Sequence, residues 1–380
     1  MQLESKLPDV GVTIFSVMTQ LANEAGAINL SQGFPDFDPS PEIVARIGAH
    51  MAAGHNQYAP MPGVPALREQ LAIKTRRLYG ADYDPATEIT ITSGATEALF
   101  AAITAVVRPG DEVIIVEPAY DAYVPVVTLN GGVPVFTAYR YPDYRVDWDH
   151  VRSLFTPRTR LLVLNSPHNP TGSVWTEEDM AALEDLAAAH RFFIVSDEVY
   201  EHIIFDGLVH HSMSRRPALA ERSFVIGSFG KTFHATGWKV GYCLAPAPLT
   251  REFQRIHQYL TFATNTPVQM ALADALNDPS HYLGLPAFYQ KKRDLFLSLT
   301  AGARLRALPC SGTYFVMMDY GAVSREPDTA FARRITREHK VAAIPPSVFH
   351  HDGADNRVLR FCFAKNDATL TAAAERLCRI

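Results

Sequence analysis

The sequence predicts an α/β fold: a large domain with a mostly parallel sheet and a second, smaller α+β domain. Between about residues 88 and 246, short β-branched runs alternate with helix-like segments. Most of these runs are continuously apolar, as expected of strands covered on both faces. Both chain ends instead carry Pro-rich turns and a mixture of helix and strand patterns. We therefore expect a large domain at 46–276 and a small domain built from 1–45 and 277–380.

Seven apolar runs are predicted to form the sheet of the large domain. Between the fourth and fifth runs, residues 176–190 read as a helix in which Thr176 and Asp179 form a capping box, with Asp in place of the usual Glu. In the small domain, SGTYFVMMDY and VLRFCFAK are the clearest strand patterns. The seven predicted strands are EITIT (88–92), EVIIVEP (112–118), VPVFTA (133–138), RLLVLNSP (160–167), FFIVSDEVY (192–200), SFVIGS (223–228) and VGYCLAP (240–246).

Composition narrows the class of protein. The 380 residues are 47% hydrophobic and 20% charged, and 40 acidic against 35 basic side chains give a net charge of −5. Because no basic run stands out, we expect no nucleic-acid partner. The N-terminus MQLESKLPDV does not resemble a signal peptide, and no stretch approaches the ~18 apolar residues of a membrane span. The four cysteines form no CxxC pair, so we expect a cytoplasmic protein without a zinc or disulfide framework and without membrane association.

The stretch GSFGKTFHATGWK (227–239) raises the question of what Lys231 does. A nucleotide-binding phosphate loop also ends in Gly-Lys-Ser/Thr, but it requires a glycine at position 225, which is Val. The spacing therefore excludes a phosphate loop. Lys231 remains as a lysine that closely follows a predicted strand.

Other polar residues also follow predicted strands. Ligands of open α/β sheets bind outside the carboxyl ends of the strands, so these residues are candidates for one shared site. The turn before the helix at residue 95 also suits a phosphate group, because helix N-termini present free N–H groups. The candidates are Ala95, Thr96, Tyr120, Asn169, Asp197, Tyr200, Ser228 and Lys231, with Lys239 eight residues further on.

A single ligand, pyridoxal phosphate, explains this set better than several ligands would. Lys231 would supply the amine that binds its aldehyde, and Asp197 the carboxylate that keeps its ring nitrogen protonated. Asn169 and Tyr200 would donate to its phenolic oxygen, and Tyr120 would stack on its ring. The phosphate would bind the N–H groups of Ala95 and Thr96, with Ser228 and Lys239 closing around it.

SPHNPTG, SDEVY, SFGKT and GWKVGY, in this order, resemble the marks of the class I/II, fold-type I pyridoxal-phosphate aminotransferases. The resemblance covers essentially the whole chain. NLSQGFPDF (29–37), NQYAPMPGVPALRE (56–69) and LRFCFAK (359–365) are most similar to bacterial methionine aminotransferases and to kynurenine/glutamine aminotransferases. Lys239 stands where many relatives carry arginine. The lysine offers a point charge in place of the forked contact of a guanidinium.

The resemblance implies a two-step transfer of an amino group to a 2-oxo acid through the cofactor. The expected donors are methionine, other large apolar or aromatic amino acids, glutamine or kynurenine. Lys231 would move the proton of the substrate Cα, and Arg360 would bind the substrate carboxylate. Gly33 would approach the substrate through its backbone, and Phe15 would wall the side-chain pocket. Tyr58 would reach the cofactor phosphate of a neighbouring subunit, which implies a homodimer with shared sites.

Two alternatives remain open at this point. The same chemistry would support a cysteine-S-conjugate β-lyase, and a chain with this fold that has lost catalysis would be an inert binding module. The pairs His210-His211 and His350-His351 suggest a metal site, but adjacent histidines do not face one ion, so we interpret them as loop residues and expect no metal. We interpret His168 as a turn histidine bonded to backbone.

Overall fold

The computed structural model describes residues 4–380, which form strands β1 to β12 and helices α1 to α15. The strands are β1 (Ile28–Asn29), β2 (Ile89–Thr92), β3 (Glu112–Glu117), β4 (Val133–Ala138), β5 (Thr159–Asn165), β6 (Phe193–Asp197), β7 (Ser223–Ser228), β8 (Gly241–Leu244), β9 (Arg306–Ala307), β10 (Phe315–Asp319), β11 (Val341–Ala342) and β12 (Val358–Cys362). The helices are α1 (Ile14–Ala25), α2 (Pro41–Ala52), α3 (Pro65–Tyr79), α4 (Ala95–Val106), α5 (Tyr123–Leu129), α6 (Trp148–Ser153), α7 (Glu177–Ala189), α8 (Pro217–Ala220), α9 (Phe229–Thr232), α10 (Ala247–Leu260), α11 (Thr266–Leu276), α12 (Ser280–Leu283), α13 (Leu285–Leu299), α14 (Asp328–Glu338) and α15 (Asp367–Leu377).

A seven-stranded sheet forms the centre of the molecule, in the order β2-β8-β7-β6-β5-β3-β4. All neighbours are parallel except β8, which runs antiparallel to both β2 and β7. Each of the seven predicted strands lies in this sheet. The α/β fold with a mostly parallel sheet is therefore confirmed, and β8 is the strand that makes the sheet mixed.

Helices cover both faces of this sheet. Alternate side chains of one strand enter different cores: Leu162 and Leu164 of β5 pack in one, and Leu161 and Val163 in the other. Every residue of β3 is buried. Burial on both faces is the reason why these strands read as unbroken apolar runs.

Parallel pairing brings the carboxyl ends of neighbouring strands to one edge of the sheet. Asn165 at the end of β5 pairs with Asp197 at the end of β6, and Asp197 pairs with Ile226 of β7. Because two antiparallel steps through β8 restore direction, β2 ends at the same edge. The turns that follow β2, β5, β6 and β7 therefore meet there.

A smaller sheet is built from the C-terminal part of the chain. In it, β10 lies between β12 and β9, antiparallel to both. The N-terminal segment joins this part through β1, which pairs in parallel with β11. The strand patterns predicted in SGTYFVMMDY and VLRFCFAK are confirmed as β10 and β12, respectively.

The division into two domains stays a prediction. The expected boundary at residue 45 falls inside α2, and α2 packs against α11, which ends at the other expected boundary. The helix at residues 176–190 is confirmed as α7: the side chain of Thr176 accepts from the N–H of Asp179, and Asp179 accepts from the N–H of Thr176. Among residues 4–380, no helix combines the length and apolarity needed to cross a membrane.

Candidate active site

Lys231 lies at the edge of the sheet where the strands end. It belongs to α9, a single turn that follows β7 directly. Its Nζ donates to the carbonyl of Gly33 at 3.2 Å and to the hydroxyl of Tyr314 at 2.8 Å. Burial lowers the pKa of the Lys231 amine to about 8, a shift that nearby Asp197 opposes. A larger fraction of this amine is therefore neutral near pH 7 than of an ordinary lysine.

Asp197 is the last residue of β6 and is buried. Its Oδ2 accepts from the hydroxyl of Tyr123 at 2.7 Å, and its Oδ1 accepts from the N–H of Val199 at 3.3 Å. Burial raises the pKa of Asp197 to about 6, although the Tyr123 hydroxyl opposes the shift. A cation placed beside this carboxylate would lower its pKa and hold it ionised.

A cavity of about 200 Å³ opens between these two residues. Nine of the predicted site residues line it, drawn from the turns after β2, β3, β5, β6 and β7. The structure therefore brings together residues that are up to 144 positions apart, from Ala95 to Lys239. The nine are Ala95, Thr96, Tyr120, Asn169, Asp197, Tyr200, Ser228, Lys231 and Lys239.

Arg360 lies beside this cavity on β12 and is 1% exposed. Its Nη1 donates to Oδ1 of Asn169 and its Nη2 to the carbonyl of Ser31, both at 2.7 Å. The guanidinium stacks on the ring of Phe315 at 3.9 Å. Its buried Nε has no hydrogen-bond partner within residues 4–380. Burial lowers the pKa of Arg360 to about 10, so an anion bound here would satisfy both an unpaired donor and a poorly solvated charge.

The remaining predicted residues differ in their position. The carbonyl of Gly33 contacts Lys231, and the ring of Phe15 lies 5.4 Å from the Arg360 guanidinium. Tyr58 does not reach the cavity of its own chain. Its side chain is 85% exposed and packs on Phe262, with ring centroids 5.6 Å apart.

A family model described as aminotransferase class I and II matches residues 25–377. The chain belongs to the class I and II aminotransferases. The resemblance inferred from the motifs is thus confirmed at the level of the family, together with the expected aminotransferase activity.

Individual aminotransferases match over almost the whole chain. Methionine aminotransferase of Escherichia coli strain K12 is 54% identical over 98% of this chain and 97% of its own length. A probable N-succinyldiaminopimelate aminotransferase of Mycobacterium tuberculosis is 39% identical over 98% and 97%. Kynurenine–oxoglutarate transaminase of Dictyostelium discoideum is 35% identical over 97% and 94%. An E. coli crystal structure identified with a methionine aminotransferase function superimposes with a TM-score of 0.98 at 53% identity, covering both chains completely.

Class I and II aminotransferases use pyridoxal phosphate, and the start of α4 fits its phosphate. Gly94 precedes the helix with φ +79° and offers no side chain to cap the first N–H groups. A Cβ at Gly94 would lie 3.3 Å from Nζ of Lys239. This aminotransferase therefore has a small cradle of N–H donors and a cation next to the buried Asp197 and Lys231.

Three residues that contact the predicted ones were missed. Tyr123 donates to Asp197, and Tyr314 accepts from Lys231. Asn165 donates to the backbone carbonyl of Asp197 at 2.7 Å and accepts from the N–H of Asn169 at 2.8 Å. Asn165 was visible as the polar end of an apolar run, whereas nothing in the local pattern around Tyr123 or Tyr314 indicates their contacts.

The pairs His210-His211 and His350-His351 lie in loops, as predicted. His210 lies 2.8 Å from Glu198, and His351 lies 2.8 Å from Glu117. His168 is a turn residue bonded to backbone, as predicted: its N–H donates to the carbonyl of Ser173 and its carbonyl accepts from the N–H of Gly172, both at 2.8 Å. In addition, its ring Nδ1 pairs with the hydroxyl of Thr171 at 2.7 Å. The turn at 168–172 folds back so that this hydroxyl faces the ring. Burial lowers the pKa of His168 to about 3, which keeps it neutral.

Proposed function

We propose that this chain is a homodimeric aminotransferase that takes the amino group of methionine and gives it to a 2-oxo acid in two half-reactions. The observation that carries the choice of donor is the match of the whole chain, in both sequence and backbone, to methionine aminotransferase. Other large apolar or aromatic amino acids, glutamine and kynurenine are the next candidates, because a kynurenine transaminase matches at lower identity.

Arg360 would bind the α-carboxylate of the substrate. Asn169 and Ser31 hold two of its nitrogens, and its Nε has no hydrogen-bond partner among the described residues, so the guanidinium keeps donor capacity for an anion. The carboxylate is common to all amino-acid and 2-oxo-acid substrates. A buried guanidinium in a fixed orientation therefore suits both half-reactions.

Phe15 would form part of the wall against the substrate side chain. Its ring lies beside Arg360 and 5.9 Å from the ring of Phe349. Thioether sulfur makes favourable contacts with aromatic rings at about 5 Å, so an aromatic wall favours methionine. Gly33 would approach the substrate through its backbone, since a Cβ there would lie 2.7 Å from the Phe315 ring.

The remaining cavity residues would hold pyridoxal phosphate. When bound, it supplies an aldehyde that accepts the amino group and a cationic ring that withdraws electrons from the substrate Cα. Asp197 would keep a proton on the ring nitrogen, Tyr120 would pack on the ring face, and Asn169 and Tyr200 would donate to its phenolic oxygen. The N–H groups of Ala95 and Thr96, with Ser228 and Lys239, would bind the phosphate.

Lys231 would bind the aldehyde in the resting enzyme and serve as base and acid once the substrate has replaced it. Its Nζ would take a proton from the substrate Cα and later return one to the carbon of the former aldehyde. A pKa held near 8 by burial supports this role, because the amine then exchanges protons near neutral pH.

The proposed homodimer rests on an exposed aromatic surface. Tyr58, Tyr259, Leu260 and Phe262 are all at least 44% exposed and lie close together in sequence or in contact. Exposed apolar groups of this kind mark association surfaces. If a second subunit covered these residues, Tyr58 would lie near the cofactor phosphate of that second subunit. We also propose a cytoplasmic location, which the four unpaired cysteines support.

A panel of donors tests the proposed specificity. The purified enzyme would receive methionine, phenylalanine, glutamine, kynurenine, aspartate or N-succinyldiaminopimelate with one 2-oxo acid. We expect the highest kcat/KM for methionine and the lowest for aspartate. A higher value for N-succinyldiaminopimelate would overturn the donor assignment, and release of pyruvate and ammonia from a cysteine S-conjugate without any oxo acid would favour a β-lyase.

A further inference from the structure

Tyr314 contacts the reactive amine although the sequence analysis assigned it no role in the site. The residue precedes β10 and is 0% exposed. Its hydroxyl lies 2.8 Å from Nζ of Lys231 and 2.5 Å from the carbonyl oxygen of Gly33. Nζ also lies 3.2 Å from the same carbonyl. The amine, the phenol and the carbonyl thus form a closed triangle of hydrogen bonds.

The chemistry of the three groups fixes the direction of each hydrogen bond. A carbonyl oxygen only accepts, so the single phenolic proton is donated to Gly33. The phenol oxygen then accepts from Lys231, and the Gly33 carbonyl accepts a second proton of Lys231. Lys231 is held through two of its N–H groups, and in the neutral amine the lone pair remains free.

We propose that Tyr314 and the Gly33 carbonyl are a dock that holds the amine of Lys231 whenever it is not bound to the cofactor, with its lone pair free to act as a base. Tyr314 is then a positioning residue, because it acts through Lys231. The catalytic role of this dock rests on the proposed function. The hydrogen bonds that form the dock do not, because they are present in the chain itself.

The surroundings of Tyr314 keep this dock rigid. Its ring centroid lies 5.2 Å from that of Tyr200, 5.7 Å from that of Tyr289 and 4.9 Å from that of Phe315. These three rings pack against the fully buried Tyr314 and hold its phenol next to Lys231. Gly33 belongs to the N-terminal segment, so the dock also joins that segment to the reactive lysine.

The proton step shows what the dock provides. The lone pair of Nζ forms a new N–H bond as the Cα–H bond of the substrate breaks, and the electron pair of that bond stays on the carbon side. The ammonium that results keeps both acceptors of the dock and holds the proton until it is returned. Misplacing a reacting group by about 1 Å can cost about 100-fold in rate.

The first test measures Lys231 itself in the cofactor-free full-length chain. Lysine acylation across a pH series, followed by peptide mapping, gives the apparent pKa of Lys231 in wild type, Tyr314→Phe and Tyr289→Phe. Tyr289 is the matched control: it is equally buried in the same ring cluster, and its hydroxyl has no hydrogen-bond partner in the described chain. We expect Tyr314→Phe to lower the pKa of Lys231 by about one unit, because the ammonium loses an acceptor, and Tyr289→Phe to leave it unchanged.

The second test measures the half-reaction of the holoenzyme with methionine and with Cα-deuterated methionine in a single turnover. We expect Tyr314→Phe to slow the step about tenfold or more, with a larger isotope effect and an unchanged half-saturation concentration. Equal behaviour of Tyr314→Phe and Tyr289→Phe in both tests would overturn the dock. If Tyr314→Phe fails to fold, 3-fluorotyrosine at position 314 keeps the shape, weakens the acceptor and must lower the Lys231 pKa.

Failure of the dock and failure of the proposed function give different results. If Tyr314→Phe behaves as wild type while Lys231→Ala is inactive, only the dock is wrong. If the wild-type enzyme does not transaminate methionine, the function is wrong, whereas the labelling of Lys231 still decides on the dock.

Discussion

Asp197 and Lys231 lie on neighbouring strand ends, and burial moves both towards their neutral forms. The pKa of Asp197 is raised to about 6 and that of Lys231 is lowered to about 8. Each charge lacks a full partner in the chain alone. A ligand with a cationic ring nitrogen beside Asp197 and an aldehyde beside Lys231 would remove the free-energy cost of burying both charges. The same two shifts therefore support cofactor binding and reduce the stability of the chain without it.

Asp197→Asn tests this trade-off through the pH dependence of stability. The folded pKa of about 6 lies above the ordinary value of 3.8, so the stabilising proton is present below about pH 4 and is lost as the pH rises through about 6. Asn stays neutral, and we expect the cofactor-free variant to gain about 2 to 3 kcal/mol over wild type above pH 6. Denaturant unfolding of both proteins below pH 4 and above pH 6 measures this gain in the free energy of unfolding. Asp206, whose pKa is lowered by Arg293, is the control: Asp206→Asn must lose stability, and a similar loss for Asp197→Asn would contradict the assignment.

Arg360→Ala should separate substrate binding from cofactor binding. The guanidinium is buried and its Nε is unpaired within the described residues, so its removal takes away the charged partner of the substrate carboxylate. We expect kcat/KM for methionine to fall about 100-fold, mainly through KM, with the cofactor absorbance retained. Arg306→Ala, which removes an exposed arginine paired with Asp319, must leave the kinetics unchanged. Loss of the cofactor in Arg360→Ala would show that the residue acts on the cofactor site instead.

The motifs predicted the site residues that directly follow strands, but not the site residues that other segments of the chain contribute. Asn169, Asp197 and Lys231 stand at strand ends, where the rule for open α/β sheets applies. Tyr314 reaches Lys231 from before β10, and Tyr123 reaches Asp197 from the start of α5. Their contacts depend on packing between distant segments, for which a single sequence carries no local signal.

At the scale of the element, the turn from β2 into α4 is the one where backbone conformation matters most. Gly94 has a positive φ and lies against Lys239, so a methyl group there would both strain the backbone and narrow the cradle. We expect Gly94→Ala to weaken pyridoxal phosphate binding about tenfold or more, measured by titration of the cofactor-free enzyme. Gly54→Ala is matched in strain, with φ +92° and open space around its Cβ. It must lose a similar amount of stability and no cofactor affinity, and equal affinity losses would rule out the cradle.

The strands themselves were predictable because burial on both faces leaves a continuous apolar run. The predicted ends were less accurate: RLLVLNSP was expected to reach residue 167 and FFIVSDEVY residue 200, whereas β5 ends at Asn165 and β6 at Asp197. Beyond these points the backbone leaves the sheet, and Asn169 and Tyr200 enter the cavity. The shortened strands therefore mark the site.

At the scale of the whole molecule, the proposed shared site can be tested by mixing subunits. Tyr58 is exposed and does not line the cavity of its own chain, whereas Lys231 does. If sites are shared, a hybrid of Lys231→Ala and Tyr58→Ala subunits contains one intact site. We expect the mixture, after dissociation and reassociation, to be more active than the sum of the two separate variants. Additive activities, or a chain that sediments as a monomer, would contradict the shared site.

The division into two domains stays a prediction for the whole molecule. The expected boundary near residue 45 falls within α2, which packs on α11. Composition reports which residues are apolar or turn-forming, and it does not report which partner a helix packs against. The two chain ends pair through β1 and β11. Both segments carry Pro-rich turns and mixed helix and strand patterns, which is why we expected them to pack together.

We propose that Lys231 is the residue that binds pyridoxal phosphate covalently. Borohydride reduction of the purified enzyme, followed by peptide mapping, locates the bound cofactor. We predict one phosphopyridoxyl group per chain on Lys231, its loss after saturation with methionine, and no label in a folded Lys231→Ala variant that does not turn over. A label on another side chain, or transamination by Lys231→Ala at the wild-type rate, would show that Lys231 is not the cofactor lysine.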